Sequence, residues 1–391
     1  MRRRRSRPRV LVYGFLGMGN LGNEASLEAF LDGLATVRPD AEVWCLGTGP
    51  EDVERRHGLR ARRLTLGSSE QSRSLRALTR LADLPRTWWL LGGAEAAVVP
   101  GMGVFESTLG AANPFGLPYW LFVLALAARL RRRPLLFLSV GADRPHHRMT
   151  AFFFRHTVRL ATYCSFRDQL SEEAAHELGG LHDRAPVHPD LAFGLPLPPD
   201  AGEPVPGRVV VGVMRFGPRD DPGVMAGYEA KVADVVSTLA RSGDTVRLVV
   251  GDLADLAVAD SIARRAGEVP GTDASRIEVS DADDQAGLMS EMSRAEVVVA
   301  SRYHNVLAAL RVGAPTVSLG YAGKNAALLD RFGLGPYDQP IDCFDPATVL
   351  RQVAEVRGTG RSAERRQVQL ALEESLNRQY RAVAPLLGGA R

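Results

Sequence analysis

Two cations and a histidine follow consecutive apolar runs in the stretch "VVVASRYHNVLAALRVGAPTVSLGYAGKNAALLDRFG". It reads as strand, turn and helix, twice over: a strand over 297–300, a turn at Ser301, a helix, a strand over 316–319, a turn through Gly320, and a helix from about Gly323. Arg302 and His304 lie at the first turn and Lys324 at the second. A helix start offers unpaired backbone N–H groups and the positive end of the helix dipole, so both turns are expected to hold an anion. A lysine in the first helical turn opposes that dipole, and a bound anion would offset the cost. Lys324 also stands out because only it and Lys231 are lysines among 48 basic residues, and Lys231 reads as a surface helix residue. Imidazole is the side chain most used to move protons, so His304, between Arg302 and Asn305, is the candidate general acid or base. Ser301 is the expected N-cap, and Ser301 and Asn305 are counted among the ligand-binding residues.

Other turns after apolar runs carry further candidates. The loop "GFLGMGNLGNEA" follows the first strand, and its glycines, Gly22 among them, allow backbone to approach a ligand closely. It contains GxGxxG at Gly17, Gly19 and Gly22, but the end of the second strand, "VWCLGTG", lacks the acidic residue that dinucleotide binding requires. Asn20, Asn23 and Glu24 are instead read as substrate contacts, with Asn23 also the expected cap of the following helix. Gly101 and Gly103 in "PGMGVF", Arg144 in "VGADRP", Arg167 in "FRDQLS", Asp190 in "HPDLAF" and Arg215 in "VMRFG" complete the set. Asp168 is expected to cap its helix.

Positioning these loops is the task of a βα alternation that runs the length of the chain. Short apolar strands separated by amphipathic helices imply parallel sheets covered by helices on both faces. The expected fold is α/β, with two Rossmann-like βα domains facing a cleft and a C-terminal helix packing back. The stretch "GLPLPPDAGEPVPG" is the expected linker. The boundaries expected are a basic disordered tail over 1–8, a first domain over 9–193, the linker over 194–207, a second domain over 208–358 and the helix over 359–391. Ligands of open α/β sheets bind at the carboxyl ends of the strands, and the unusual residues fall there.

Composition narrows the function classes. A formal charge of +3 gives no argument for nucleic acid as a partner. Cys45, Cys164 and Cys343 are far apart, with neither disulfide-framework nor metal-ligand spacing, so no metal is expected and the chain reads as reduced and cytoplasmic. The apolar run over 119–130 is too short to span a bilayer and reads as a buried helix ending in cations. Peripheral contact with the membrane face is an expectation carried by the arginines of "MRRRRSRPR".

The order "GNLGNEA", "PGMGVF", "VGADRP", "FRDQLS", "HPDLAF" and "SRYHNVLAALRVGAPTVSLGYAGKNAALLDRFG" resembles the polysaccharide pyruvyl transferase family from about residue 9 to about 335. The resemblance implies a fold like that of two-domain GT-B glycosyltransferases. It also implies transfer of the enolpyruvyl unit of phosphoenolpyruvate, a co-substrate rather than a cofactor, to two hydroxyls of a sugar or lipid-linked saccharide. The product is a pyruvate ketal. On that reading the acceptor belongs to the first domain and phosphoenolpyruvate to the second. Arg302 and Lys324 hold its phosphate and carboxylate, Arg167 and Arg215 assist, His304 is the acid or base, and Glu24 or Asp190 meets the acceptor hydroxyls. The alternatives are a GT-B glycosyltransferase using a nucleotide sugar and a non-catalytic anionic-glycan binding protein.

Overall fold

Valine- and leucine-rich runs become two parallel six-stranded sheets in the computed structural model, which describes residues 7–65, 73–106, 113–181, 183–217 and 222–388. The first sheet contains β1 (Arg9–Tyr13), β2 (Glu42–Gly47), β3 (Arg60–Arg63), β4 (Ala96–Pro100), β5 (Leu135–Val140) and β6 (Tyr163–Phe166), in the order β3-β2-β1-β4-β5-β6. Between its strands lie α1 (Leu21–Val37), α2 (Pro50–His57), α3 (Arg73–Leu90), α4 (Leu117–Arg131) and α5 (Arg148–Leu160), followed by α6 (Gln169–Glu177). The second sheet contains β7 (Arg208–Val213), β8 (Thr245–Val250), β9 (Ile277–Val279), β10 (Val297–Ala300), β11 (Thr316–Gly320) and β12 (Asp338–Pro340), in the order β12-β11-β10-β7-β8-β9. Its helices are α7 (Pro222–Arg241), α8 (Leu256–Gly267), α9 (Gln285–Ser293), α10 (Tyr303–Arg311), α11 (Gly323–Arg331) and α12 (Pro346–Arg357), and α13 (Ala363–Val383) closes the chain.

Numbered from its own first strand, each sheet has the doubly wound order 3-2-1-4-5-6, with its switch point between β1 and β4 or between β7 and β10. Helices cover both faces, so central strands can be apolar throughout; every residue of β4, β5, β10 and β11 is buried.

The chain divides into two units, and the break at 195/196 falls inside the proline-rich stretch. Two segments depart from the expected boundaries. Gly19–Glu24, which includes the start of α1, groups with the second unit, and residues from Leu372 onward group with the first. In the first unit α13 is fixed by buried polar contacts. Gln379 takes a hydrogen bond from Ser165 at 2.8 Å and donates to Ser139 at 3.2 Å, and the Tyr380 hydroxyl donates to the Ala29 carbonyl at 3.0 Å. Of the expected tail, residues 1–6 lie outside the described residues, and Pro8 is buried, its carbonyl accepting the Glu42 N–H at 2.8 Å. Among the described residues no helix is long and apolar enough to cross a membrane.

One ion cluster ties the second sheet to a helix. Glu291 on α9 accepts hydrogen bonds from Arg247 on β8 at 2.7 Å and from Arg208 on β7. Burial pushes the Glu291 carboxyl up, but Arg247 and then Arg208 bring it below the ordinary range. A carboxyl depressed in the folded state contributes stability above its unfolded pKa, and that contribution is lost as pH falls through the folded value. Glu291→Gln is therefore expected to lower the Tm by a few degrees at neutral pH, with the gap to wild type closing in acid. Thermal melts across pH check this, and a gap that stays constant into acid excludes it.

Candidate active site

The two turns after β10 and β11 form as the sequence suggests, with one change of roles. Arg302, not Ser301, occupies the N-cap of α10, and it makes no side-chain capping bond. Ser301 is buried beneath the turn, and its hydroxyl shares a hydrogen bond with the Tyr228 hydroxyl at 3.2 Å. Burial pushes the Tyr228 phenol up to about 12, against the hydrogen bonds from Ser301 and Met214, so it stays protonated. Ala322 is the N-cap of α11, again without a side-chain cap. Asn325, wholly buried, staples the turns together by donating to the Ser301 carbonyl at 3.2 Å and to Ser318 Oγ at 3.3 Å. Two helix N-termini on neighbouring parallel strands thus lie side by side without side-chain caps, the arrangement that favours an anion.

The first glycine-rich loop supplies the other wall. Leu21 N–H donates to the Gly251 carbonyl at 3.1 Å and Leu253 N–H to the Gly19 carbonyl at 2.9 Å, which bridges this segment to the turn after β8. Asn20 donates from Nδ2 to Asp252 at 3.2 Å, while its Oδ1 accepts the Asn23 N–H at 3.1 Å. Asn20 is thus the cap of α1, in place of Asn23, because the helix begins three residues earlier than its polar pattern suggests. Gly22 lies against the His304 ring: a Cβ built there would stand 2.0 Å from Nδ1. Glu24 is buried in the next turn of α1.

Charge in this site is arranged differently from the expectation. Arg302 Nε donates to Asp255 Oδ2 at 2.5 Å, and its Nη2 lies 3.9 Å from Asp252. Burial pulls the guanidinium down, but Asp255 and then Asp252 more than offset it and hold it above its ordinary value. Arg302 therefore reaches any ligand already paired with carboxylate. Asp255, almost wholly buried, also accepts the Arg215 N–H at 3.0 Å, so it joins the turn after β7 to Arg302. Arg215 contributes that backbone group, and its side chain is exposed. Lys324 Nζ is held over the Tyr321 ring at 5.1 Å and the Tyr303 ring at 5.7 Å, and Tyr303 packs edge-on to His304. Asn305 is fully buried, with its amide against Gly212 and Gly251, so it shapes the turn from below.

Asp252, Asp255, Tyr303 and Tyr321 were not among the expected residues. The signal for the two aspartates was available: "VVGDLAD" places both carboxylates directly after a strand, the same position that singled out the cations.

In the first unit the remaining residues form a separate cluster. Arg167 is buried and pairs with Glu106, with Asp190 at 3.3 Å and with Asp168 at 3.7 Å. Gly103 and Gly141 are small because this network lies against them: a Cβ would come within 2.6 Å of the Glu106 carboxyl at the first and 2.5 Å at the second. Gly101, at φ +54°, faces Ser26 in the same way. Asp190 Oδ1 also accepts the Ala192 N–H at 3.1 Å, and Asp168 caps α6 through the Ser171 N–H at 2.7 Å. Arg144 belongs to neither cluster. It is exposed and pairs with Glu177 at 2.5 Å. A cavity of about 520 Å³ in this unit, walled by Trp44, Trp89, Arg60 and Arg62, lies at the amino ends of β1–β3, away from these loops.

A family model described as polysaccharide pyruvyl transferase matches residues 20–323, from the Asn20 cap through the turn after β10 to the start of α11. The chain belongs to this family. It is therefore a transferase, and the match covers every element of the site in the second unit except Lys324 and Asn325, which follow its last residue. No curated protein matches the sequence of this pyruvyl transferase family member. Its fold is shared more widely. It is similar to a putative UDP-N-acetylglucosamine 2-epimerase from Listeria monocytogenes (TM-score 0.64, 13% identity, covering 96% of each chain). It is also similar to the UDP-GlcNAc 2-epimerase of Neisseria meningitidis bound to UDP-GlcNAc (TM-score 0.60, 10% identity, 96% of this chain and 99% of that one). A glycosyltransferase from Rickettsia africae is a third such structure (TM-score 0.58, 9% identity, 97% and 98%). At these identities the likeness establishes the GT-B-like fold of two Rossmann-like domains.

Proposed function

We propose that the enzyme transfers the enolpyruvyl group of phosphoenolpyruvate to a sugar of a polysaccharide or lipid-linked precursor, forming a pyruvate ketal and releasing phosphate. The observation that carries this reading is the His304 ring seated on Gly22 beside the adjoining N-termini of α10 and α11, with Arg302 and Lys324 at those helix starts. A donor bearing both phosphate and carboxylate suits two helix N-termini and two cations. The methylene carbon takes a proton while a sugar hydroxyl forms a bond to C2 and gives up its own proton. The C2–O bond to phosphate then breaks, and the second hydroxyl adds to C2 and loses its proton. The sum is phosphoenolpyruvate plus a diol giving ketal plus inorganic phosphate. His304 is the group to deliver and recover the proton; Lys324, partly exposed over its two tyrosines, meets an oxygen of the donor. Arg302, already paired with Asp255, orients the turn and offers its outer N–H groups. No cofactor enters the scheme.

Acceptor-dependent phosphate release from phosphoenolpyruvate, across a panel of sugars, tests this. His304→Ala is expected to lower turnover about a thousandfold while donor binding persists, as for removal of a general acid–base group. The fold shared with enzymes of UDP-GlcNAc favours a second reading, a nucleotide-sugar transferase. Thermal stabilisation by a UDP-sugar, with no phosphate release from phosphoenolpyruvate with any acceptor, selects that reading. Donor binding without turnover in wild type selects a non-catalytic glycan binder.

A further inference from the structure

Helix α5 buries one face and leaves the other open. Thr150, Phe153, Phe154, Thr157 and Val158 pack inward. The outward stripe at i, i+3 and i+7 is Met149, Phe152 and His156, with Met149 39% and Phe152 48% exposed. Soluble surfaces seldom present such a stripe without using it. Further aromatic rings lie beside it: the Phe152 ring is 4.4 Å from His156 and 6.2 Å from Phe122, and Phe115, 41% exposed just before α4, packs against the inward-facing Phe153 at 6.0 Å. The first turns of α4 and α5 follow the carboxyl ends of β4 and β5, so Phe115, Met149 and Phe152 gather at the edge where the Gly101–Gly103 turn opens.

The charge along this helix is mostly of one sign. Residues 141–160, α5 and the turn before it, contain four arginines (144, 148, 155 and 159) and one acidic residue, Asp143, whereas Arg129 and Arg131–Arg133 lie at the far end of α4, before β5. The whole chain is nearly balanced, with 48 basic and 45 acidic residues, so the asymmetry is local. Glu177 neutralises Arg144. Arg148, Arg155 and Arg159 are exposed on α5, alongside Phe152, and make no ion pair among the described residues. A stripe of apolar side chains flanked by unpaired arginines, on a helix without a single carboxylate, has the character of an interfacial helix that lies on an anionic bilayer.

We infer that the outer face of α5, with Phe115, is the surface by which the protein docks on a bilayer containing anionic lipid. The inference does not rest on the proposed reaction, because it is tested without turnover. The full chain is sedimented with phosphatidylcholine vesicles and with vesicles of phosphatidylcholine and phosphatidylglycerol. Wild type is expected to partition at least tenfold more to the anionic vesicles. Met149→Ser/Phe152→Ser and Arg148→Gln/Arg155→Gln are each expected to lower that partitioning tenfold or more. Their melting temperature should stay as in wild type. Serines in place of Arg2–Arg5 separate the contribution of the N-terminal arginines, and retention of most binding in that variant supports the α5 surface. Equal partitioning of wild type to both vesicle types, no partitioning at all, or unchanged binding of both α5 double variants overturns the inference.

Discussion

Gly22→Ala is expected to lower acceptor-dependent phosphate release about a hundredfold without unfolding the protein. The added methyl would stand 2.0 Å from His304 Nδ1 and 2.3 Å from Cγ, so one of the two residues must move by more than an ångström. Neither backbone yields easily. Residues 19–21 are held by the backbone bridge to Gly251 and Leu253 and by the Asn20 bond to Asp252. Helix α10 is fixed at Asn325's staple, and Gln285 donates to the His304 carbonyl at 3.4 Å. The softest coordinate is the rotation of the imidazole, and turning it away from Gly22 removes it from the position where it would exchange a proton. Misplacing a reacting group by about 1 Å costs on the order of a hundredfold in rate. Gly227→Ala is the matched control, since a Cβ there meets nothing within 4 Å. It should leave rate unchanged and, on α7, slightly raise stability. A Gly22→Ala enzyme within threefold of wild type would show that the ring's seat on Gly22 plays no part in turnover.

That contact also marks where reading the sequence stops. The βα rhythm is legible because buried parallel strands are unbroken apolar runs, as in "VVVA" and "LLFLSV". Strand β3, "RARR", is not, because an edge strand with exposed arginines has no apolar run to announce it. The two turns were legible because cations directly after strands are unusual. The partners of those cations were not. Asp255 is 47 residues from Arg302, and only the order of the second sheet's strands brings the two to one edge; Asp252 is 232 residues from Asn20, which follows a strand of the other sheet. For the same reason the first glycine-rich loop looked like part of the first domain by chain position, whereas residues 19–24 belong with the second. Arg144 and Arg167 are equally placed after strands. Burial beside Glu106 and Asp190 separates them, and burial of a charged residue is a tertiary property.

Asp255→Asn is expected to destabilise the second unit by about 2–3 kcal/mol, because removing one partner of a buried ion pair leaves the other charge uncompensated. The lower end applies because the Arg302 side chain is 23% exposed and Asp252 remains 3.9 Å away. The amide keeps one acceptor, for either Arg302 or the Arg215 N–H, and turns a donor toward the other. The same substitution makes the site more positive by one charge. Inorganic phosphate should then stabilise the variant more than wild type, since an anion bound at the two helix starts takes over part of the carboxylate's pairing with the guanidinium, and stabilisation grows with the logarithm of ligand over Kd. Phosphate-dependent melting curves of the two proteins measure this. The double variant Asp255→Asn/Arg302→Gln closes the cycle: with no buried guanidinium left to compensate, it should be less destabilised than the sum of the single variants, and its phosphate response should fall below that of wild type. If phosphate shifts all three proteins equally, Arg302 does not face the anion. The pair it forms with Asp255 would then serve only to hold the turns after β7 and β10 together, leaving Lys324 and the helix N-termini to bind the donor.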